Sequence, residues 1–147
     1  MKVRQLLTRK PAGFVSVEPS ATTASAAELL LECGVGGLAV MEGGAKLVGF
    51  LSERELASVL TGTETGVRDL PVAAVMKRPA PTCSVDAPIR EVMARMTRER
   101  LRHLVVTDGD HVSGVISVGD LVKHRLEQLE TEAGVLRDYV AAQRAKG

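Results

Sequence analysis

The chain has 147 residues, 45% of them hydrophobic and 25% charged, with a formal net charge of +1, a composition typical of a globular protein. The near-neutral charge argues against a nucleic-acid partner held through many phosphates, and 2% aromatic residues leave almost nothing on which bases stack. No apolar run approaches the roughly 18 residues of a membrane span, and residues 1–10 lack the apolar region of a signal peptide. We therefore expect a cytoplasmic protein without nucleic-acid or membrane partners.

The first half of the chain predicts the element order β-α-β-β-α. A short strand, VSV (15–17), precedes the Ala- and Leu-rich stretch ATTASAAELLLECG, which predicts a helix that ends at Gly34. The run GLAVMEGGAKLVGFL (37–51) indicates two strands joined at Gly43 and Gly44, where glycine supplies a positive φ. A second helix follows Ser52.

The second half predicts the same order after a linker. TGTETGVRDLP is rich in Gly and Thr and ends in Pro, as linkers often are. TCSV (82–85) predicts a strand, Asp86 and Pro88 open a helix, and HLVVTDGDHVSGVIS (103–117) predicts a hairpin. We assign the first repeat to residues 1–62, the linker to 63–71, the second repeat to 72–125 and a C-terminal helical extension to 126–147.

The two halves are related by a nearly constant offset. Ser52 and Ser117 lie 65 residues apart, whereas Val40 and Val106 lie 66 residues apart, because the second hairpin turn is one residue shorter. A length change in a turn is the usual place for such a shift. Half a chain of about 60 residues makes a thin core, so we expect the two halves to pack their sheets together around an approximate two-fold axis. The fold class is α+β.

Two cysteines, Cys33 and Cys83, lie neither in a C-x-x-C motif nor at a metal-binding spacing. The pattern supports neither a disulfide framework nor a zinc site. We expect both to be buried free thiols.

The segments GVGGLAVMEGGAKLVGFLSEREL (34–56) and RLRHLVVTDGDHVSGVISVGDLVK (100–123) resemble the second halves of two cystathionine β-synthase (CBS) domains. The specific feature is a small or apolar run, Gly, an apolar pair, Ser, two residues and an acid, repeated after matching hairpins. The resemblance covers about residues 1–125 and is to a stand-alone CBS pair, or Bateman module. It implies a regulatory domain that binds an adenosine-containing ligand, AMP, ADP, ATP or NAD(H), between the repeats. It further implies a homodimer that signals to an effector protein, whose identity the sequence does not give.

The acidic motif of the second repeat suits a nucleotide. An ionised Asp120 at the first turn of a helix can accept hydrogen bonds from both vicinal hydroxyls of a ribose. Ser117 lies at the same helix N-terminus, where its hydroxyl and free backbone N–H groups suit a phosphate, and Gly119 allows close approach. The resemblance implies these same roles for Asp120 and Ser117. The alternative is that Ser and Asp form a capping box, which needs no ligand.

The matching motif of the first repeat is Ser52-Glu53-Arg54-Glu55. Glu55 departs from the family pattern, which has Asp there, and S-x-x-E is the usual capping box. We keep Ser52 and Glu55 as candidate ligand-binding residues beside the capping interpretation. Arg54 is a candidate phosphate ligand or a surface arginine.

Three further candidates lie in the second repeat. Arg102 and His103 begin its second strand, and the resemblance implies that they point towards the same cleft as Asp120, where they would meet phosphates. A half-buried histidine and a solvated arginine are the alternatives. Their counterparts in the first repeat, Gly36 and Gly37, leave space or allow backbone approach. The resemblance implies that the Thr82 backbone meets the adenine edge. The alternative is that Thr82 is an ordinary strand residue.

The sequence carries no catalytic motif that we recognise: no G-x-S-x-G, H-E-x-x-H or phosphate-binding loop occurs, and the three histidines are scattered. We expect no enzyme, no catalytic cofactor and no metal site. The competing interpretation of the chain is a ligand-independent protein-interaction or dimerisation module, in which both motifs only cap helices.

The C-terminal stretch has an apolar seam of coiled-coil spacing. The seam residues follow steps of four and three: Val122, Leu126, Leu129, Ala133, Leu136 and Val140. Gly134 inside the stretch costs about 1 kcal/mol relative to Ala. The helix is predicted either to pack on its own module or to add to a dimer interface.

Overall fold

The computed structural model describes residues 1–11, 13–62 and 66–146. Residues 63–65 of the predicted linker and residue 147 lie outside this range. The helices and strands, in order, are α1 (Val3–Leu7), β1 (Ser16–Val17), α2 (Thr23–Cys33), β2 (Gly37–Glu42), β3 (Lys46–Ser52), α3 (Glu53–Gly62), β4 (Thr82–Ser84), α4 (Ile89–Glu99), β5 (His103–Asp108), β6 (His111–Ser117) and α5 (Val118–Lys146). Two short 3-10 helices, Val67–Asp69 and Val72–Ala74, precede β4.

The strands form two three-stranded sheets of identical topology. In each sheet the first strand pairs parallel with the second, and the second pairs antiparallel with the third. The register shifts after Val40 in one hairpin and after Val106 in the other, which are equivalent positions at the offset of 66. The predicted α+β fold with two β-α-β-β-α repeats is therefore confirmed.

Helix α2 ends at Gly34 and helix α4 opens at Pro88, as the sequence predicts. The Thr22 side chain accepts a hydrogen bond from the Ser25 N–H at 3.1 Å at the start of α2, and Gly34 ends that helix with φ 63°. Pro88 is the N-cap of α4, and Arg100 ends it in the same left-handed conformation with φ 56°. Arg100 therefore adopts, despite its side chain, the same left-handed turn that Gly34 adopts in the first repeat.

The core of each repeat includes residues from the segment that precedes the other repeat in the sequence. Helix α1 places Val3 and Leu6 in the core of the second repeat, and its Val3 N–H donates to the Ala87 carbonyl at 3.0 Å. The segment after the linker places Val72 in the core of the first repeat, where its N–H donates to the Ala21 carbonyl at 2.8 Å. The two repeats are thus packed together at both of their leading segments.

A third apolar cluster lies between the two sheets. Its buried members come from both repeats: Ala39, Met41, Phe50, Val105 and Val112. Ala39 and Val105 are equivalent residues at the offset of 66, so the cluster straddles the pseudo-two-fold axis. The expectation that the thin sheets bury one another is confirmed.

Helix α5 starts directly where β6 ends and continues to Lys146. Its buried residues are Leu121 and His124, whereas all the large apolar residues of the predicted seam are exposed. The seam is therefore not the face that packs on the module. No helix within the described residues has both the length and the apolar composition to cross a membrane.

Candidate functional site

A large cleft lies between the repeats on the side of Asp120, and we call it the Asp120 cleft. Its volume is about 1050 Å³, which suits a small-molecule site. The second repeat contributes His103, Ser117 and Asp120. Lining residues from the first half of the chain include Arg4, Thr8, Lys10, Gly13, Phe14, Val15, Gly36 and Gly37.

Ser117 and Asp120 form a reciprocal cap at the start of α5. The Ser117 N–H donates to Asp120 Oδ2 at 2.8 Å, and the Asp120 N–H donates to Ser117 Oγ at 3.1 Å. The capping interpretation is thus realised in the structure. It uses only Oδ2, because Oδ1 accepts no hydrogen bond from the described residues. Since the side chain is 23% exposed and lines the cleft, capping and ligand binding are compatible at this residue.

Lys10 is a member of the site that sequence reasoning missed. Its Nζ donates to Asp120 Oδ2 at 2.7 Å and to the Val115 carbonyl at 2.8 Å. Partial burial by itself would raise the pKa of Asp120, but hydrogen bonds from Lys10 and Ser117 and the charge of Lys10 hold it below its ordinary value. Asp120 is therefore an ionised acceptor at neutral pH.

His103 lines the Asp120 cleft as predicted. Its ring packs on Phe50, with the ring centroids 5.4 Å apart. A Cβ on Gly36 would lie 3.3 Å from this ring, and a Cβ on Gly37 would lie 2.4 Å from the Phe50 ring. The rings of His103 and Phe50 therefore occupy the space that the missing Cβ atoms of the two glycines leave.

Charged groups from both repeats act on His103. Burial lowers its pKa below the ordinary value, and the carboxylates of Asp120, Glu53 and Glu55 oppose this only in part. The neutral imidazole is therefore the main form at neutral pH, and it offers one donor and one acceptor to a ligand.

A second, much smaller cleft lies at the motif of the first repeat, and we call it the Glu55 cleft. Its volume is about 90 Å³. The predicted residues Ser52, Arg54, Glu55 and Arg102 line it, together with His103, which borders both clefts. Arg102 therefore lies at the Glu55 cleft, and the prediction that it faces the Asp120 cleft beside His103 is wrong. Although Arg102 and His103 are adjacent in the sequence, only His103 reaches the Asp120 cleft.

Ser52 and Glu55 are tied to one another. The Ser52 N–H donates to Glu55 Oε2 at 2.9 Å, and the Ser52 hydroxyl donates to the same oxygen. The extra methylene of Glu lets its carboxylate fold back over the helix start, so the Ser52 hydroxyl proton already has a partner. This pair has less free hydrogen-bonding capacity than Ser117 and Asp120.

Thr82 and Gly119 line neither cleft. The Thr82 carbonyl accepts a hydrogen bond from the Arg95 guanidinium, and the neighbouring Pro81 lines the Glu55 cleft. The strand-edge segment that lines the Asp120 cleft is instead 13–15, which precedes β1 in the first repeat. A Cβ on Gly119 would meet only Ser117 Oγ, at an ordinary 3.5 Å, so packing within the chain does not demand glycine there.

The cysteines differ from each other. Cys33 is exposed and lines the Asp120 cleft, so the expectation of a buried thiol is wrong for it, because it falls at the open end of α2. Cys83 is half-buried, and burial raises the pKa of its thiol to about 11 in spite of the nearby Arg95. Both are free thiols.

The Asp120 cleft can hold an anion that also carries hydroxyl groups. Arg4 and Lys10 are cations, His103 is a donor, and Asp120 is the one carboxylate among its lining residues. Within the part of the chain that the structure describes, no three His, Cys, Asp or Glu side chains gather as a metal site would require.

Comparison with known proteins assigns the family. The family model described as CBS domain matches twice, at residues 3–62 and 67–127. A crystal structure of a CBS-domain-containing protein from Agrobacterium tumefaciens is 29% identical, with a TM-score of 0.80, over 84% of this chain and 92% of that one. An uncharacterized 33.4 kDa protein of Thermofilum pendens is 31% identical over 97 residues, which are 66% of this chain and 31% of that protein's length.

Two more distant structures share the fold and hold ligands. A CBS domain protein from Pyrobaculum aerophilum, complexed with AMP, is 24% identical with a TM-score of 0.76, over 90% of this chain and 99% of that one. A CBS domain pair in complex with 5′-methylthioadenosine and S-adenosyl-L-methionine is 20% identical with a TM-score of 0.74, over 87% and 98%. With two matched domains, duplicated sheets and paired clefts, this chain belongs to the CBS domain family.

Proposed function

We propose that this chain is a regulatory module that binds one adenine nucleotide, AMP, ADP, ATP or NAD(H), in the Asp120 cleft. The observation that carries the proposal is the placement of an ionised Asp120, with one oxygen free, in a cleft of about 1050 Å³ that also holds Lys10. The AMP complex of the Pyrobaculum aerophilum protein supports the ligand class.

The sugar and phosphate have separate partners in this proposal. Asp120 Oδ1 accepts from the ribose hydroxyls while Oδ2 keeps its contacts with Ser117 and Lys10. The phosphate lies beside Lys10 and Arg4, whose positive charges favour an anion, because the N–H groups of Ser117 and Asp120 are already used in the cap. S-adenosylmethionine suits this cleft less well, because its sulfonium would face Arg4 and Lys10.

Occupancy is unequal between the two sites. The Glu55 cleft, at about 90 Å³, is smaller than the roughly 300 Å³ at which small-molecule sites begin. Its Ser52 hydroxyl is already bonded to Glu55. One nucleotide per chain is therefore the expected stoichiometry.

Titration calorimetry with AMP, ADP, ATP, NAD⁺, NADH and S-adenosylmethionine tests the proposal. We expect Asp120→Asn to weaken nucleotide binding about 10- to 100-fold, because two hydrogen bonds to a charged acceptor are weakened while the amide can still cap Ser117. Glu55→Gln is the matched control and should change the affinity less than about threefold. Equal affinity of the wild type and Asp120→Asn, or no binding of any nucleotide, would reject the proposal.

A second candidate function is a ligand-independent interaction module, and the complete reciprocal cap of Ser117 and Asp120 favours it. In that case calorimetry is flat for every nucleotide, and the isolated chain binds its effector protein equally well with and without nucleotide. Nucleotide-dependent binding would exclude this candidate.

We also propose that the module works in the cytoplasm as a homodimer and signals to an effector protein. Ligand binding can shift such a module only as far as its affinities for two conformations differ. Both repeats line the Asp120 cleft, so a bound nucleotide would favour the conformation in which they close around it.

A further inference from the structure

The exposed seam of α5 lies on the face opposite to the module. Five of its large apolar side chains are between 39% and 63% exposed: Val122, Leu126, Leu129, Leu136 and Val140. The helix packs on the module through Leu121 and His124 instead. With Leu126 and Val140 as a positions and Leu129 as a d position, Leu121 and His124 are c and f, the positions turned away from a seam.

The charges beside the seam favour a second copy of this chain in parallel. The flanking g positions include Arg125 and Glu132, and the flanking e positions include Glu130 and Arg137. In a parallel pair of helices a g residue meets the e residue five positions further along the other helix. Arg125 then meets Glu130 of the second copy, and Glu132 meets Arg137 of the second copy, so each contact is attractive and occurs twice.

An antiparallel pair does not satisfy the same sequence. Full overlap of the seam brings Glu130 against Glu130 of the second copy, Glu132 against Glu132, and Lys123 against Arg137, all of like charge. Sliding the antiparallel helices by one heptad relieves these contacts, but it leaves one end of the seam without a partner. The parallel arrangement keeps the whole seam, about 27 Å from Val122 to Val140, and the attractive pairs together.

We propose that α5 joins two copies of this chain through a parallel two-stranded coiled coil along this seam, with the two modules on its outer sides. This rests on the homodimer proposed above and specifies its geometry. The exposed tail then has a defined partner, and a two-fold axis runs along the paired helices.

Disulfide cross-linking in the full-length chain tests the orientation. Leu126→Cys and Leu136→Cys are made separately in a Cys33→Ser background, because Cys33 is exposed, whereas the half-buried Cys83 is kept. In a parallel coiled coil each new cysteine faces its own copy, so both variants form a covalent dimer under mild oxidation. In any antiparallel register at most one of them does. Thr131→Cys, on the outer face, is the control and stays uncross-linked.

Sedimentation equilibrium supplies the second measurement. Glu130→Arg raises the dimer Kd about tenfold at low salt, because it turns both contacts with Arg125 repulsive, and adding Arg125→Glu restores the Kd to within about threefold. A wild-type monomer at all concentrations overturns the homodimer and this geometry together. A dimer in which only one or neither cysteine variant cross-links overturns the parallel geometry alone. Calorimetry on the same variants measures nucleotide binding, so the proposed nucleotide site is tested independently of dimerisation.

Discussion

Asp120 is held by two partners, one from its own motif and one from near the start of the chain. Ser117 provides the local cap, and Lys10 provides the charge. The lysine side chain is 34% exposed, and its ammonium keeps one N–H beyond the bonds to Asp120 and Val115, so it can also meet a bound phosphate. In the proposed complex, Lys10 would therefore distinguish nucleotides from uncharged nucleosides.

We expect Lys10→Met to weaken AMP binding about tenfold and adenosine binding less than about threefold, because only the phosphate depends on the added charge. Calorimetry with both ligands measures the two effects. Lys77→Met, at the Glu55 cleft, serves as the control with little effect on either ligand. An equal loss for AMP and adenosine would contradict the assigned role.

His103 makes the stability of the fold depend on pH. Its folded-state pKa lies below the ordinary value of 6.5, so the unfolded chain takes up this proton first as the pH falls. Stability is therefore present above about pH 6.5 and is lost as the pH falls towards the folded-state pKa, with a slope of at most about 1.4 kcal/mol per pH unit from one group. Asp120, Glu53 and Glu55 limit the loss, and Lys10 adds to it.

Urea unfolding between pH 7.5 and pH 5.5 measures this effect. We expect His103→Gln to flatten the dependence of the free energy of unfolding on pH, whereas His111→Gln, at an exposed position, leaves it unchanged. Equal slopes in the wild type and His103→Gln would show that this imidazole is not the responsible group.

Among the helices, the ends of α2 and α4 are equivalent in position and different in sequence. Gly34 and Arg100 both take left-handed φ values, but only glycine does so without steric cost. A Cβ on Gly34 would meet no atom within 4 Å, so its effect on stability is purely conformational.

Arg100→Gly should raise the free energy of unfolding by about 1 kcal/mol, and Gly34→Ala should lower it by a similar amount. Chemical denaturation of both variants tests this. Arg98→Gly, inside α4, is the control and should be destabilising by about 1 kcal/mol. Destabilisation by Arg100→Gly would mean that the arginine side chain makes contacts that outweigh the backbone strain.

The elements with strong local signals are those that the sequence predicts well. Helices α2 and α4, both hairpins and the start of α5 follow from apolar periodicity, glycine turns and the repetition of the pattern. Helix α1 has only five residues, and the 3-10 helices have three each, so no periodicity marks them. Helix α1 and the 3-10 helix Val72–Ala74 pack into the core of the opposite repeat, and no local sequence pattern encodes this packing.

The same limit applies to the site. Ser117, Asp120 and His103 carry their own chemical signature and line the predicted cleft. No motif surrounds Lys10, so the sequence analysis missed it. Its only signal is a positive charge between α1 and β1. Arg102 lies at the Glu55 cleft and not at the predicted Asp120 cleft. Comparison of the two repeats shows which residues are equivalent, but it does not show which sheet edges face each other across the pseudo-two-fold axis.

At the scale of the whole molecule, the exchanged leading segments make the two repeats depend on each other. Leu6 is 3% exposed and lies in the core of the second repeat, far along the chain from the residues that it contacts. The sheets share a further cluster between them. We therefore expect the module to unfold as one cooperative unit.

Leu6→Ala should lower the free energy of unfolding by about 2–4 kcal/mol and keep a single transition, because it opens a cavity in a core that both repeats support. Calorimetric melting tests this. Leu60→Ala, at a side chain that is 68% exposed, is the control and should change stability by less than about 0.5 kcal/mol. Two separate transitions would show that the repeats fold independently.

The ion pair between Lys10 and Asp120 joins residues 110 positions apart. During synthesis the lysine leaves the ribosome long before its acidic partner exists, so a growing chain carries only half of the cleft. A product that stops before residue 120 lacks this carboxylate altogether. The cleft is therefore complete only after most of the second repeat has been synthesised and has packed against the segment around Lys10.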